Sequence, residues 1–381
     1  MLPYIITFAV SLTLIWLSQI TKKKNKIISG ILLVLGLVVP CLLAALRDEK
    51  IGTDTLVYQK PFFSLAKHYP KFFSSPGFVE YIDVISTHDY LYYFLTWLCA
   101  RITSHVGIVY FINELLIILP LYVALEINKK DDKDVLLGML IFYFLWYDLS
   151  LNMIRQGIAV SFSLLAIVLY EKKNYKQSIM TLTIASLFHN SALIVFPILA
   201  LYNFIRGNDK TRKKTAIIIA IVLLFAVVSF NLKGILSCLS NIIGTFAGFG
   251  RYVDYVNKYS SGGFKWKQLT MWVIYLIIYL FSAKNMKKHT NNYYFYLTIL
   301  VISLFGFYTE TVIQYTHRFF IYFGYPFLYL IVPKMPYCFK EKWKKILMLL
   351  FIILISISFW VSSSAIGNGN KTMPYKFSVR N

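Results

Sequence analysis

Charge is what this sequence has least of. Only 15% of its 381 residues are charged, where an ordinary globular protein carries roughly 25%. Asp and Glu together number 17. The length would hold two or three soluble domains, but there is too little charge to clothe them. Cysteine is equally sparse: Cys41, Cys99, Cys238 and Cys338 lie far apart, with no C-x-x-C pair or other metal-ligand spacing. No disulfide, metal site or cofactor is expected. No internal repeat or low-complexity linker breaks the chain, so residues 1–361 are expected to form a single integral membrane domain with a tail, 362–381. Residues 1–20 lack a basic leader ahead of their apolar stretch and read as a first anchor, not a cleaved signal.

What the chain has in excess is apolar mass. It is 58% hydrophobic and 18% aromatic, with 39 Lys and Arg giving a formal charge of +22. A disordered basic chain would lack that apolar content. A nucleic-acid binder would spread its cations over a polar surface that this composition does not offer. The surviving class is an all-α polytopic membrane protein.

A bilayer core of about 30 Å needs about 20 apolar residues per helix. Runs of that kind fall at 2–20, 27–46, 108–127, 153–170, 215–233, 266–283, 291–309, 316–333 and 346–361. Shorter ones fall at 90–104, 135–148, 178–188 and 191–205. Cytoplasmic loops retain Lys and Arg. Six linkers, near 22–26, 129–133, 172–176, 206–214, 284–288 and 334–345, hold 23 of the 39 basic residues. The placement of all six inside is met with 90–104 interfacial or re-entrant and 178–205 a hairpin turning near His189; if 90–104 crosses fully, one other short run must not. About twelve transmembrane helices result, with both termini outside. Residues 47–88 and 234–265 become extracytoplasmic loops.

That orientation was set by lysine, yet it sorts the other polar residues too. Arg47, Gly52, Thr53 and Asp54, then Asn152, Arg155 and Gln156, then His189, Arg251, Glu310, His317 and Arg318 all fall on the outer side. Of eight Arg, only Arg206 and Arg212 belong to the basic inner linkers. Arginine grips phosphate oxygens in pairs, which lysine cannot do. Several convergent Arg therefore point to an anionic, phosphate-bearing lipid. Each residue also has a plainer role open to it. Gly52-Thr53-Asp54 suits a turn with a helix cap, Arg155 suits snorkelling to headgroups, and His189 suits a polar hairpin tip. Glu310, Gln314 and Arg318 would share one face if their helix continued, where a structural ion pair is the alternative.

Three blocks in this set resemble a known family. Arg47-x(4)-Gly52-Thr53-Asp54-x(3)-Tyr58, Asn152-x-x-Arg155-Gln156-x-x-Ala159 and Ala185-Ser186-Leu187-Phe188-His189-Asn190-Ser191-Ala192 are similar, in order, to motifs of EpsG-like exopolysaccharide biosynthesis proteins. Arg318-Phe319-Phe320-x-Tyr322 also resembles that family, and the likeness covers roughly residues 1–335. Where the family often has an E-P-G-[FY] element, this sequence has Asp89-Tyr90-Leu91-Tyr92, with Ser75-Pro76-Gly77-Phe78 upstream.

The resemblance implies a Wzy-type polymerase of O-antigen, capsular or exopolysaccharide. Such an enzyme joins oligosaccharide repeat units on undecaprenyl diphosphate at the outer face of the bacterial inner membrane. It also implies a metal-independent glycosyltransferase with a GT-C-like fold, which a chain-length regulator can accompany. On that reading Arg155 and Arg318, helped by Arg47 and Arg251, clamp the diphosphate. His189 is the base, since an ordinary imidazole titrates near neutrality. Asp54 is the alternative base, and Glu310 orients His189 or an arginine. Asn152, Gln156 and Tyr58 complete the substrate contacts. A lipid-linked oligosaccharide flippase, a glycan ligase and a membrane acyltransferase remain open.

Overall fold

The structure, a computed structural model, describes residues 1–69, 72, 89–207, 211–232, 234–235, 263–290 and 292–378. Among these the chain is helical, with an isolated antiparallel bridge between Arg47 and Phe377. Every apolar run carries a helix. In chain order they are α1 (Leu2–Thr21), α2 (Lys26–Ala45), α3 (Lys60–His68), α4 (Tyr90–Ile102), α5 (Gly107–Asn128), α6 (Asp132–Leu145), α7 (Ile154–Glu171) and α8 (Tyr175–Phe188). Then follow α9 (Val195–Gly207), α10 (Thr211–Phe230), α11 (Trp266–Phe281), α12 (Ala283–His289), α13 (Tyr293–Val312), α14 (His317–Leu330) and α15 (Lys342–Trp360).

Six described helices are long and apolar enough to cross a membrane: α1, α2, α5, α7, α13 and α15 with its extension to Ile366. Helices α11 and α12 pass the same test together but meet at 78°. The protein is therefore a multi-pass membrane protein. Helices α4 and α9 have 13 residues, and α6, α8 and α14 have 14. At 1.5 Å per residue each is about 20 Å long, short of the roughly 30 Å hydrocarbon core. Length and composition thus support six of the twelve expected crossings.

The chain packs as two compact units, Met1–Leu193 with Leu347–Asn381, and Ile194–Ile346. In the first unit α1 and α2 form an antiparallel pair. Asn25 caps α2 by accepting from the Ile27 and Ile28 amides. Ser18 Oγ donates to the Ser29 carbonyl at 2.8 Å and Ser11 Oγ to the Gly36 carbonyl at 2.5 Å, so the hydroxyls find partners inside the pair. Gln19 Nε2 donates to the Asp132 carbonyl at 3.0 Å. The 22–26 and 129–133 turns therefore share one end of the unit. Helix α7 starts beside Gly52 and runs alongside α5, so the 172–176 turn falls at that end as well.

At the opposite end lie Tyr4, residues 46–54, the start of α7 and the segment 367–378. Helix α4 begins and finishes there. Its first turn meets Arg155 through Tyr93, and Gly107, five residues after Ile102, abuts the Ala45 carbonyl, where a Cβ would come within 2.8 Å. Within this unit the lysine-rich turns and the residues expected to bind substrate do occupy opposite ends.

Candidate functional site

The site in the first unit starts from a tight turn. Gly52 has φ +82°, and a Cβ there would come 2.5 Å from the Leu151 carbonyl oxygen. Only glycine suits both constraints. With Gly52 seated, the next residues are held by Asn152: its Oδ1 accepts from Thr53 N at 2.8 Å, from Thr53 Oγ1 at 2.6 Å and from Asp54 N at 3.4 Å. The asparagine thus caps a helical turn on a distant segment. A π-turn, Thr55–Gln59, follows and brings Tyr58 under Arg155, whose Cζ is 4.7 Å from the ring centroid.

Arg155 sits in the first turn of α7 and reaches Asp89. Its Nη1 donates to Asp89 Oδ2 at 2.9 Å and to the Tyr93 hydroxyl at 3.1 Å. Its Nε and Nη2 make no hydrogen bond among the described residues, and its side chain is 14% exposed. Asp89 is fully buried, a position a carboxylate tolerates only when paired. Its second partner is His189, whose Nδ1 lies 3.1 Å from Oδ1 and 3.2 Å from Oδ2. An ionised carboxylate only accepts, so Nδ1 carries a hydrogen, and in the neutral form of the ring the lone pair is then on Nε2. Helix α8 stops at Phe188, which stacks on Phe162 at 6.1 Å. The histidine is thereby set just past a helix end.

The three sequence blocks therefore meet: Gly52 to Tyr58, Asn152 with Arg155, and His189. Asp89, which joins the last two, stands in the sequence only as the acidic residue at the place of the family's E-P-G-[FY] element, with no role assigned to it. Its signal was scarcity, since an acidic side chain at the mouth of an apolar run is a functional candidate by default. Asp54 lies within electrostatic reach of Arg155. Gln156 is buried. Arg47 is 3% exposed, with its guanidinium 4.5 Å from the Tyr110 ring centroid and Nη2 donating to Thr55 Oγ1 at 3.2 Å.

A second polar cluster belongs to the other unit. Helix α13 ends at Val312 and α14 starts at His317, with Tyr315 at φ +71° in the turn between them. The helix does not continue through Gln314, so Glu310 and Arg318 do not share a helical face. Glu310 is instead held by His317, whose Nδ1 donates to Oε2 at 2.7 Å. Lys265 Nζ stands 3.5 Å from Glu310 Oε1 and 2.9 Å from His317 Nε2. Burial draws the Lys265 ammonium below the ordinary lysine value against the opposing pull of Glu310. Arg318 covers the Tyr315 ring at 4.5 Å. Sequence reasoning assigned no role to Lys265 or His317. Arg251 lies outside the described residues.

Helices of membrane-crossing length, with a buried carboxylate, an arginine and a histidine gathered at one end of the first unit, define a multi-pass membrane protein with a polar cluster at the end of its helices. The chain belongs to the EpsG family, whose model matches residues 30–377. Searches of curated proteins and of solved structures returned no match.

Proposed function

We propose that this protein is a surface-polysaccharide polymerase, joining undecaprenyl-diphosphate-linked repeat units at the extracytoplasmic face of a bacterial inner membrane. The observation that carries the proposal is the Asp89–Arg155–His189 cluster. Its imidazole Nε2 and the guanidinium Nη2 and Nε, which make no hydrogen bond among the described residues, are the atoms assigned to the substrate, and membership of the EpsG family supports a role in polysaccharide biosynthesis.

In this reaction the growing glycan on lipid diphosphate is the donor. An acceptor hydroxyl attacks the anomeric carbon, the bond from that carbon to the phosphate oxygen breaks, and the diphosphate leaves with the electron pair. The hydroxyl proton passes to His189 Nε2. Asp89 holds Nδ1–H and balances the imidazolium, and through Nη1 it also fixes Arg155. Arg155 then meets the charge growing on the diphosphate with Nη2 and Nε; pre-placed donors of this kind contribute a few kcal/mol each. Asp54 is the alternative base. Asn152 keeps the neighbouring turn in place, Tyr58 supports the guanidinium from below, and Gln156 is a further substrate contact. In the second unit Arg318 is an expected phosphate ligand and Glu310 acts with His317 as a separate proton-handling pair; Arg251 is likewise an expected phosphate ligand. The chemistry is metal-independent, the fold GT-C-like with about twelve crossings, and a chain-length regulator is the expected partner.

The glycan profile of a strain lacking the protein separates this reading from its competitors. Single repeat units on the surface are expected. Lipid-linked units trapped in the cytoplasm would indicate a flippase, full-length polymer left unattached a ligase, and full-length but deacylated polymer an acyltransferase.

A further inference from the structure

The segment 367–378, part of the expected extracytoplasmic tail 362–381, is folded onto one end of the first unit. Asn368 shapes it, with Nδ2 donating to the Met373 carbonyl at 2.6 Å and Oδ1 accepting from the Met373 amide at 3.0 Å. From there it grips the chain on both sides of Arg47. The Asp48 amide donates to the Lys376 carbonyl at 2.8 Å, the Ser378 amide to the Leu46 carbonyl at 2.9 Å and the Gly52 amide to the Lys371 carbonyl at 3.2 Å. The Tyr375 hydroxyl donates to the Leu43 carbonyl at 2.6 Å, and the Tyr4 hydroxyl to the Thr372 carbonyl at 3.0 Å. Thr372 is fully buried. The family match also runs on to residue 377.

We propose that residues 371–378, with Arg47 as their anchor, form a clasp that positions the Gly52-Thr53-Asp54 turn for the Arg155 site, an inference that rests on the reading of that site given above. Between the end of α2 and Gly52 the Lys50 and Ile51 amides turn back on Asp48, and the clasp supplies carbonyls to the Asp48 and Gly52 amides. The ordered turn then presents its Thr53 and Asp54 amides to Asn152, on the segment that also carries Arg155. Arg47 is a positioning residue on this account: it pairs with Phe377 along the backbone while its side chain bridges Thr55 and Tyr110. It acts on substrate only through the turn.

The test compares the full chain in lipid nanodiscs with a form ending at Ile366. Amide hydrogen exchange of the 46–55 peptide is read without substrate, and polymerisation of a purified lipid-linked repeat unit is read separately. Removing the segment should speed exchange in 46–55 at least tenfold, leave α5 and α7 unchanged, and lower kcat/KM at least tenfold. Tyr375→Phe, which removes one hydroxyl and threatens folding little, should speed exchange about fivefold, the equivalent of one hydrogen bond of about 1 kcal/mol. Unchanged exchange in both variants overturns the clasp. Faster exchange with full polymerisation overturns its role in positioning. If the full chain itself does not polymerise lipid-linked units, the functional reading fails, and the exchange arm still decides whether the clasp orders the turn.

Discussion

At the scale of single residues the account turns on three side chains. Asp89 holds both of the others, so Asp89→Asn keeps the shape but removes the charge that balances an imidazolium. Loss of such an orienting carboxylate lowers turnover by about a hundredfold or more. A kcat that falls while KM for the lipid-linked repeat holds would confirm that Asp89 acts through His189. Arg155→Lys keeps the positive charge but loses the paired donors and the flat face over Tyr58. Its kcat/KM should fall about a hundredfold, and wild-type chain lengths from this variant would mean the arginine only snorkels. His189 and Arg155 were visible in the sequence because each stands in a polar block beside an apolar run. Asp89 was visible as a residue but not as a partner: 100 positions separate it from His189, and nothing local records that contact.

At the scale of elements, the fold's least replaceable local feature is the turn at Gly52. Gly52→Ala forces an L side chain to a positive φ and drives its Cβ into the Leu151 carbonyl. The conformational part alone costs about 1–2 kcal/mol, and the collision adds to it. The variant should melt at a lower temperature in detergent and lose polymerisation together with Thr53 and Asp54 order; unaltered melting and activity would show that the turn relaxes freely. The sequence suggested a turn here and left open whether it did more. The answer lies in Asn152, whose capping role follows from tertiary packing and leaves no periodicity to read. Helix breaks were similarly half legible. The stop at His189 is marked by His-Asn-Ser, whereas the stop at Val312 falls inside an unbroken polar-apolar pattern, which is why Glu310 and Arg318 were placed on one face. The partner that Glu310 finds instead, His317, is reachable only because the chain turns at Tyr315.

At the scale of the whole molecule, lysine placement carried further than hydropathy. Apolar length led to about twelve crossings, yet many of those helices are 13 or 14 residues long, and a window average does not register where a helix ends. Within the first unit three basic turns stand at the end away from Asp89, Arg155 and His189, and the side of the membrane each end faces is a matter for labelling. A consequence follows for intact cells: single cysteines at Lys23→Cys and Lys173→Cys should resist a membrane-impermeant maleimide applied outside, while Lys371→Cys should react. Labelling of the first two from outside would reverse the orientation and put the cluster on the cytoplasmic face.

The central claim is that His189, held by Asp89 beside Arg155, performs the transfer. Purified protein incubated with a synthetic lipid-linked repeat unit, with chelator present, tests it most directly. The wild type should build a ladder of polymer, and His189→Ala, equally well inserted and folded, should leave only the single unit. A full ladder from His189→Ala would contradict the account.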